Sequence, residues 1–101
     1  MNLDPGSVVV RYNLGYAYLS RGQAYLAIEE FRTVLALRPN DADAYNNLGN
    51  AYSAMGHFDS AIEQYLAALS LNPNIVEVRY NLATFSRYVS RFIFSLLSNQ
   101  T

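Results

Sequence analysis

A period of 34 residues runs through most of this chain and relates Pro5, Pro39 and Pro73. A unit that repeats at such an interval cannot bury its own apolar face, so successive units stack on one another in a solenoid. The first two units are complete enough to be compared position by position. Residues of the same type lie 34 positions apart at Asn13 and Asn47, Leu14 and Leu48, Gly15 and Gly49, Tyr18 and Tyr52, Gly22 and Gly56, and Ala27 and Ala61.

Each unit contains two helical stretches that are separated by a glycine. Apolar residues recur at three- and four-residue spacing up to about Arg21, and again after Gly22. Gly22 predicts the end of the first helix, because glycine adopts the left-handed conformation at little cost. Pro39 follows the second stretch, and a proline disfavours helical backbone at the preceding residue. We therefore predict an all-α chain with helices at about residues 8–21, 24–37, 42–55 and 58–71.

Composition excludes several classes of function. The formal net charge of −1 does not fit the basic surface of a protein that binds nucleic acid or an anionic membrane. Cysteine is absent, which excludes disulfides, thiolate metal ligands and cysteine nucleophiles. His57 is the only histidine, and the glycines serve helix junctions rather than a phosphate-binding loop. We therefore expect no metal, no cofactor and no enzymatic activity.

The chain carries no recognisable membrane or secretion signal. No apolar run reaches the ~20 residues that a membrane-spanning helix needs. The opening segment, MNLDPGS, has neither the charged nor the apolar region of a signal peptide. These observations predict a soluble, cytoplasmic protein.

The segment AYNNLGNAYSAMGHFDSAIEQYLAALSLNPN at residues 44–74 resembles a tetratricopeptide repeat. The residues that carry the resemblance are Leu48, Gly49, Tyr52, Gly56, Phe58, Ala61, Tyr65, Ala68 and Pro73. The first unit is similar but has Ala24 where the family has an aromatic residue. The resemblance implies an all-α helix-turn-helix solenoid in a single domain over residues 1–101. Its two full repeats would lie at about 8–41 and 42–75, and a partial or modified third repeat at about 76–101.

The period fades after Ala83, since neither a glycine near Ser90 nor an alanine near Ser95 is present. Apolar residues continue at three- and four-residue spacing, which predicts one long C-terminal helix from about residue 76 to 98. A break near Ser90 with a short second helix, or a disordered tail, are the alternatives. An apolar stripe that no second helix covers predicts a homo-oligomer formed through this helix. The stripe comprises Phe85, Val89, Phe92, Ile93, Leu96 and Leu97.

In the tetratricopeptide family, the first helix of each repeat lines a concave groove that binds peptides. The resemblance therefore implies a peptide-binding site at Tyr12, Asn13, Tyr16, Asn46, Asn47, Asn50, Tyr80 and Asn81. Asn13, Asn47 and Asn81 form a column that resembles an asparagine ladder, because an amide can both donate to and accept from a peptide backbone. The alternative is that these asparagines bridge neighbouring helices.

Chaperone-binding members of the family hold the terminal carboxylate of their ligand in a clamp of Lys, Arg and Asn. Asn47 matches one clamp position, but Tyr12, Glu77 and Asn81 stand where the cations are expected. A carboxylate gains little without cations, so we expect neutral or mildly basic ligand segments. The predicted function is a non-catalytic scaffold that binds an extended peptide segment of a protein partner. The alternatives are a self-assembly module and an accessory domain of a larger protein.

Overall fold

The computed structural model describes the backbone of residues 7–99 and, within this range, every side chain except those of residues 86–89 and 92. The described part of the chain is all-α and contains no strand. Its helices are α1 (Val8–Ser20), α2 (Ala24–Leu37), α3 (Ala42–Ala54), α4 (Phe58–Leu71), α5 (Val76–Ala83) and α6 (Ser86–Ser98). The prediction of four helices in the first two units is confirmed: α2 and α4 have the predicted bounds, and α1 and α3 end one residue earlier.

The helices pack in sequential order, as expected for a solenoid. α1 packs on α2, α3 packs on α4, and the contact between α2 and α3 joins the first two repeats. α5 and α6 both contact α4, and they contact one another. The radius of gyration is 14.4 Å, which exceeds the ~13 Å of a compact domain of this length. The molecule is therefore elongated along the direction in which the repeats stack.

The core consists of two apolar clusters that the period relates to one another. The first lies between α2 and α3 and contains Ala27, Ile28, Phe31, Leu48 and Ala51. The second lies between α4 and α5 and contains Ala61, Tyr65, Ala68 and Val78. Burial of each large side chain in such a cluster stabilises the fold by about 1.5–3 kcal/mol. The same type of helix contact therefore occurs in both repeats.

Four glycines of the described residues have two structural roles. A Cβ atom at Gly15 would lie 2.6 Å from the Phe31 ring, and one at Gly49 would lie 2.6 Å from the Tyr65 ring. Glycine at these positions allows the paired helices to approach closely. Gly22 and Gly56 have φ angles of 73° and 76°, in the left-handed region that favours glycine. They end α1 and α3 and reverse the chain.

The prediction of one continuous C-terminal helix is wrong. The structure breaks it at Thr84 and Phe85, six residues before the alternative break near Ser90. The Thr84 hydroxyl donates to the carbonyl of Asn81 at 2.6 Å, and Phe85 has φ −112° and ψ 29°. The break directs the Phe85 ring onto Phe58, with ring centroids 5.1 Å apart. The Phe85 ring is half-buried and so gains part of the about 1.5–3 kcal/mol that full burial of such a side chain gives. This gain opposes the cost of the intrahelical hydrogen bonds lost at the break.

Candidate functional site

The first helices of the repeats, α1, α3 and α5, meet around a concave pocket of about 350 Å³. Half of its lining was predicted as peptide-binding: Tyr12, Tyr16, Asn46 and Asn47. The other half is charged: Arg38, Asp41, Asp43 and Glu77. We call these eight residues the groove pocket. The other predicted peptide-binding residues, Asn13, Asn50, Tyr80 and Asn81, do not line it.

Helix geometry and one loop position the lining residues. Tyr12 and Tyr16 are four residues apart on α1 and so share a face; their rings are nearly parallel, at 20°, with centroids 6.2 Å apart. Arg38 and Asp41 come from the loop between α2 and α3. Asp41 caps α3, since its Oδ1 accepts a hydrogen bond from the Ala44 backbone N–H at 3.1 Å. This bond satisfies a free N–H group at the start of α3 and holds the loop against the pocket.

The asparagine column forms hydrogen bonds between neighbouring repeats. Asn47 Nδ2 donates to the Tyr16 hydroxyl at 2.9 Å and so links α3 to α1. Asn81 Nδ2 donates to Asn46 Oδ1 at 3.0 Å and to Asn50 Oδ1 at 3.1 Å, linking α5 to α3. An amide nitrogen has two hydrogens, so both donors of Asn81 are used within the protein. Asn81 can only accept a hydrogen bond from a ligand.

The three members of the column are not equivalent in burial. Asn13 is exposed, Asn81 is half-buried, and Asn47 is only 5% exposed. Asn46, beside the column on α3, is 3% exposed. Tyr80 on α5 is exposed and available to a ligand. For ligand binding, the polar atoms that remain free on the buried asparagines are therefore more important than the column as a whole.

Burial and nearby carboxylates raise the pKa of two tyrosines. Tyr65, whose hydroxyl donates to Asn50 Oδ1 at 2.6 Å, has its pKa raised to about 12, mainly by burial and further by Glu77. The pKa of Tyr12 is raised well above its ordinary value, first by burial and then by the Asp41 carboxylate. The Tyr12 hydroxyl oxygen is buried and has no hydrogen-bond partner in the described part of the chain. Asp41 is thus close enough to the Tyr12 hydroxyl to disfavour its ionised form.

Two sequence patterns of one family match the chain. The TPR repeat pattern matches residues 15–56, and the tetratricopeptide repeat pattern matches residues 42–75. The chain belongs to the tetratricopeptide repeat family. Members of this TPR family are typically non-catalytic modules for protein interaction. The chain is a protein–protein interaction scaffold. None of the curated proteins compared with the chain matches it.

Solved structures with the same fold include other TPR domains. The first TPR of Spaghetti (RPAP3), bound to the HSP90 peptide SRMEEVD, is 26% identical with a TM-score of 0.79, over 86% of this chain and 69% of that chain. The first TPR domain of human RPAP3, solved by NMR, is also 26% identical with a TM-score of 0.79, over 91% of this chain and 72% of that one. A mutant of MamA is 29% identical with a TM-score of 0.73, and the match covers 91% of this chain and 54% of MamA.

The groove pocket of this TPR chain presents hydrogen-bonding and charged side chains. Within residues 7–99, no three acidic or histidine side chains lie close enough together to hold a metal ion. None of the described helices has the length and apolar character needed to cross a membrane. The pocket instead offers phenol, amide and carboxylate groups, which suit hydrogen-bond donors and cationic groups of a ligand.

The residues predicted for self-association have different environments. Phe85 is half-buried in the second core cluster, so the expectation that it lacks a covering surface is wrong. Ile93, Leu96 and Leu97 are exposed on α6. Phe94 is exposed beside them and was not predicted. The side chains of Val89 and Phe92 lie outside the described residues.

Four pocket residues were not predicted as peptide-binding, and two of them, Arg38 and Asp41, lie outside the first helices of the repeats. The family resemblance directs attention to the first helix of each repeat, whereas these two residues follow the second helix of the first repeat. The two residues between them, Pro39 and Asn40, are a sequence signal for a turn. Only the stacking of α3 on α2 brings that turn to the groove.

Proposed function

We propose that this TPR chain binds an extended peptide segment of a protein partner in its concave groove, without catalysis. The groove pocket supports this proposal, because α1, α3 and α5 each contribute a side chain to one cavity of about 350 Å³. Backbone N–H groups of a peptide suit acceptors such as Asn47 Oδ1, and aromatic side chains such as Tyr80 cover apolar parts of a ligand. Cytoplasmic location and membership of a larger protein stay predictions.

The charge of the groove pocket favours neutral or basic segments over acidic ones. Three carboxylates line it, from Asp41, Asp43 and Glu77, against the one guanidinium of Arg38. The related RPAP3 domain is bound to the peptide SRMEEVD, whose last four residues include three acidic side chains. Like charges that face one another in an interface oppose binding strongly. We therefore expect this chain to discriminate against such an acidic tail.

The test is an NMR titration of the full chain with two peptides, SRMEEVD and its charge-reversed counterpart SRMKKVK. We expect SRMKKVK to bind at least about ten-fold more tightly, with shifts of backbone resonances concentrated on α1, α3 and α5. Tighter binding of SRMEEVD would refute the charge preference. Shifts confined to α2 and α4 would refute the groove as the binding surface.

A matched pair of variants tests the groove independently of charge. Tyr80 on α5 and Tyr25 on α2 are 70% and 59% exposed, so neither substitution disturbs the core. Tyr80→Ser should weaken SRMKKVK binding, whereas Tyr25→Ser should leave it unchanged. Thermal melts of both variants should coincide with the wild-type melt. An equal loss of binding in the two variants would contradict a groove ligand.

Self-association through α6 is a second candidate function. Four apolar side chains of α6, Ile93, Phe94, Leu96 and Leu97, are 43–72% exposed. They lie within five consecutive residues on one helix, and a second copy of the chain would offer an identical apolar surface. Two copies that bury these surfaces against one another form a closed two-fold interface. Burial of each side chain favours association by about 1.5–3 kcal/mol.

Size-exclusion chromatography with light scattering tests this association. Wild-type protein should be a dimer at micromolar concentration, and Phe94→Asp with Leu97→Asp should be a folded monomer. Leu37→Asp is the control, because Leu37 is 51% exposed but lies on α2. A wild-type monomer that does not change on concentration would remove α6 as an association surface.

A further inference from the structure

The groove pocket has a net negative charge, because three carboxylates line it with a single guanidinium. Arg38 is its only cation, and it forms no ion pair with Asp41, Asp43 or Glu77 in the described part of the chain. Asp41 already accepts the capping hydrogen bond from Ala44. Asp43 and Glu77 are exposed and make no hydrogen bond with other described residues. Their carboxylates are therefore available to a ligand.

A second observation, independent of charge, indicates a ligand with N–H donors. Asn47 is 5% exposed and its Nδ2 donates to the Tyr16 hydroxyl at 2.9 Å, whereas its Oδ1 accepts no hydrogen bond from the described residues and remains accessible from the pocket. The buried hydroxyl oxygen of Tyr12 also lacks a partner there. Buried polar groups in folded proteins are normally hydrogen-bonded. Both side chains line the groove pocket, so a donor placed in the pocket would satisfy them.

The aromatic wall of the pocket restricts the shape of that donor. The rings of Tyr12 and Tyr16 are inclined by only 20° to one another. A planar guanidinium stacks on such rings and gains from the cation–π interaction. It also carries five N–H donors in a fixed plane, whereas an ammonium is a compact point charge with three. The separate carboxylates of Asp43 and Glu77 and the amide oxygen of Asn47 therefore suit a guanidinium better than an ammonium.

We propose that the groove pocket is a subsite for one arginine side chain of the bound segment. The guanidinium lies against Tyr12 and Tyr16, pairs with Asp43 and Glu77, and donates to Asn47 Oδ1. This inference rests on the proposed peptide-binding function and names the residue that the ligand presents at this point. It also explains why the position of a clamp cation carries Glu77: the subsite recognises the opposite charge.

The experiment uses two small probes, N-acetyl-arginine methylamide and its citrulline counterpart, titrated into the full chain and followed by NMR. Citrulline has nearly the same shape as arginine but is neutral. The arginine probe should shift the side-chain amide resonances of Asn46 and Asn47, and the citrulline probe should bind at least about five-fold more weakly. Equal binding of the two probes would overturn the subsite.

Two double variants that change the net charge equally distinguish ion pairing in the pocket from the effect of the protein's overall charge. Asp43→Asn with Glu77→Gln should weaken binding of the arginine probe by about five-fold. Both carboxylates are replaced together because a single exposed ion pair contributes little. Glu29→Gln with Glu63→Gln changes the net charge equally at exposed positions of α2 and α4 and should have little effect. Equal losses in the two double variants would overturn the proposal. Thermal melts verify that both variants are folded.

Peptides distinguish failure of the subsite from failure of the proposed function. The test peptides are SQMKKVK, in which glutamine replaces the arginine of SRMKKVK, and its versions with arginine or citrulline at all three lysine positions. A preference for arginine that Asp43→Asn with Glu77→Gln abolishes supports the subsite. Groove binding without that preference overturns the subsite and leaves the proposed function intact. Shifts caused by the arginine probe with no peptide binding would instead overturn the proposed function.

Discussion

Replacement of Gly49 by alanine tests whether the close contact between α3 and α4 determines the stability of the second repeat. The added Cβ would lie 2.6 Å from Cε1 and 2.7 Å from Cδ1 of Tyr65. Carbon atoms in favourable contact are ~3.5–4.0 Å apart, so the ring or the helix must move by about 1 Å. Tyr65 is 1% exposed and its hydroxyl bonds to Asn50 at 2.6 Å, which leaves the ring little space.

The expected magnitude is the balance of two opposing effects. Overpacking of a core costs about 1–3 kcal/mol, and loss of the Tyr65–Asn50 hydrogen bond costs about 0.5–1.5 kcal/mol more. Alanine favours the interior of a helix over glycine by about 1 kcal/mol. The net destabilisation of Gly49→Ala should be about 0.5–3.5 kcal/mol. For a domain of this size, that lowers Tm by about 2–28 °C.

The assay is a thermal melt followed by circular dichroism, carried out as a double-mutant cycle with Tyr65→Leu. If the ring causes the clash, Gly49→Ala should cost little or should stabilise in the Tyr65→Leu background, because leucine leaves room for the Cβ. Coupling energies between contacting residues are about 0.5–3 kcal/mol. A higher Tm for the single variant Gly49→Ala, or an equal cost in both backgrounds, would refute the reasoning.

Three further substitutions test other parts of the structure. Asn81→Ala removes two donated hydrogen bonds between α5 and α3. The free energy of unfolding, measured by urea titration, should therefore fall by about 1–3 kcal/mol. Asn13→Ala at an exposed position is the control, and an equal loss there would contradict the bridging role. Gly56→Ala introduces a side chain at φ 76° where no atom lies within 4 Å, so strain alone should cost about 1–2 kcal/mol, and an unchanged Tm would disprove it. Tyr65 has its pKa raised from the ordinary value of 10.0 to about 12; the stability this contributes is fully present below pH 10 and is lost as pH rises through 12. Urea midpoints between pH 9 and 12 should therefore fall more for wild type than for Tyr65→Phe, and parallel curves would contradict the shift.

The helices of the first two repeats could be predicted from the sequence because their signals are local. Apolar residues at three- and four-residue spacing define a helix face within one segment, and a glycine or proline ends it within one turn. The positive φ angles of Gly22 and Gly56 follow from the same local signals. The prediction of the C-terminal helix was wrong because its break depends on Phe85 reaching Phe58, 27 residues earlier in the chain. No pattern within residues 76–98 contains that contact.

Of the groove, the sequence indicated which side chains lie on the first helices, but not which of their polar atoms remain free. Asn13, Asn47 and Asn81 are equivalent by period, yet one is exposed, one bonds to Tyr16 and one uses both amide hydrogens on α3. These bonds join residues 31 or 35 positions apart, so they exist only after the repeats stack.

The sequence by itself determined the repeat, the helices of the first two repeats and the membership of the TPR family. Each of these depends only on the spacing of residues along the chain. The tertiary structure decided the composition of the groove pocket. It brought Arg38 and Asp41 from a loop to join Tyr12 on α1 and Glu77 on α5. The physical reason is that ligand chemistry depends on distances between side chains of different helices, and helix packing, rather than sequence spacing, sets those distances.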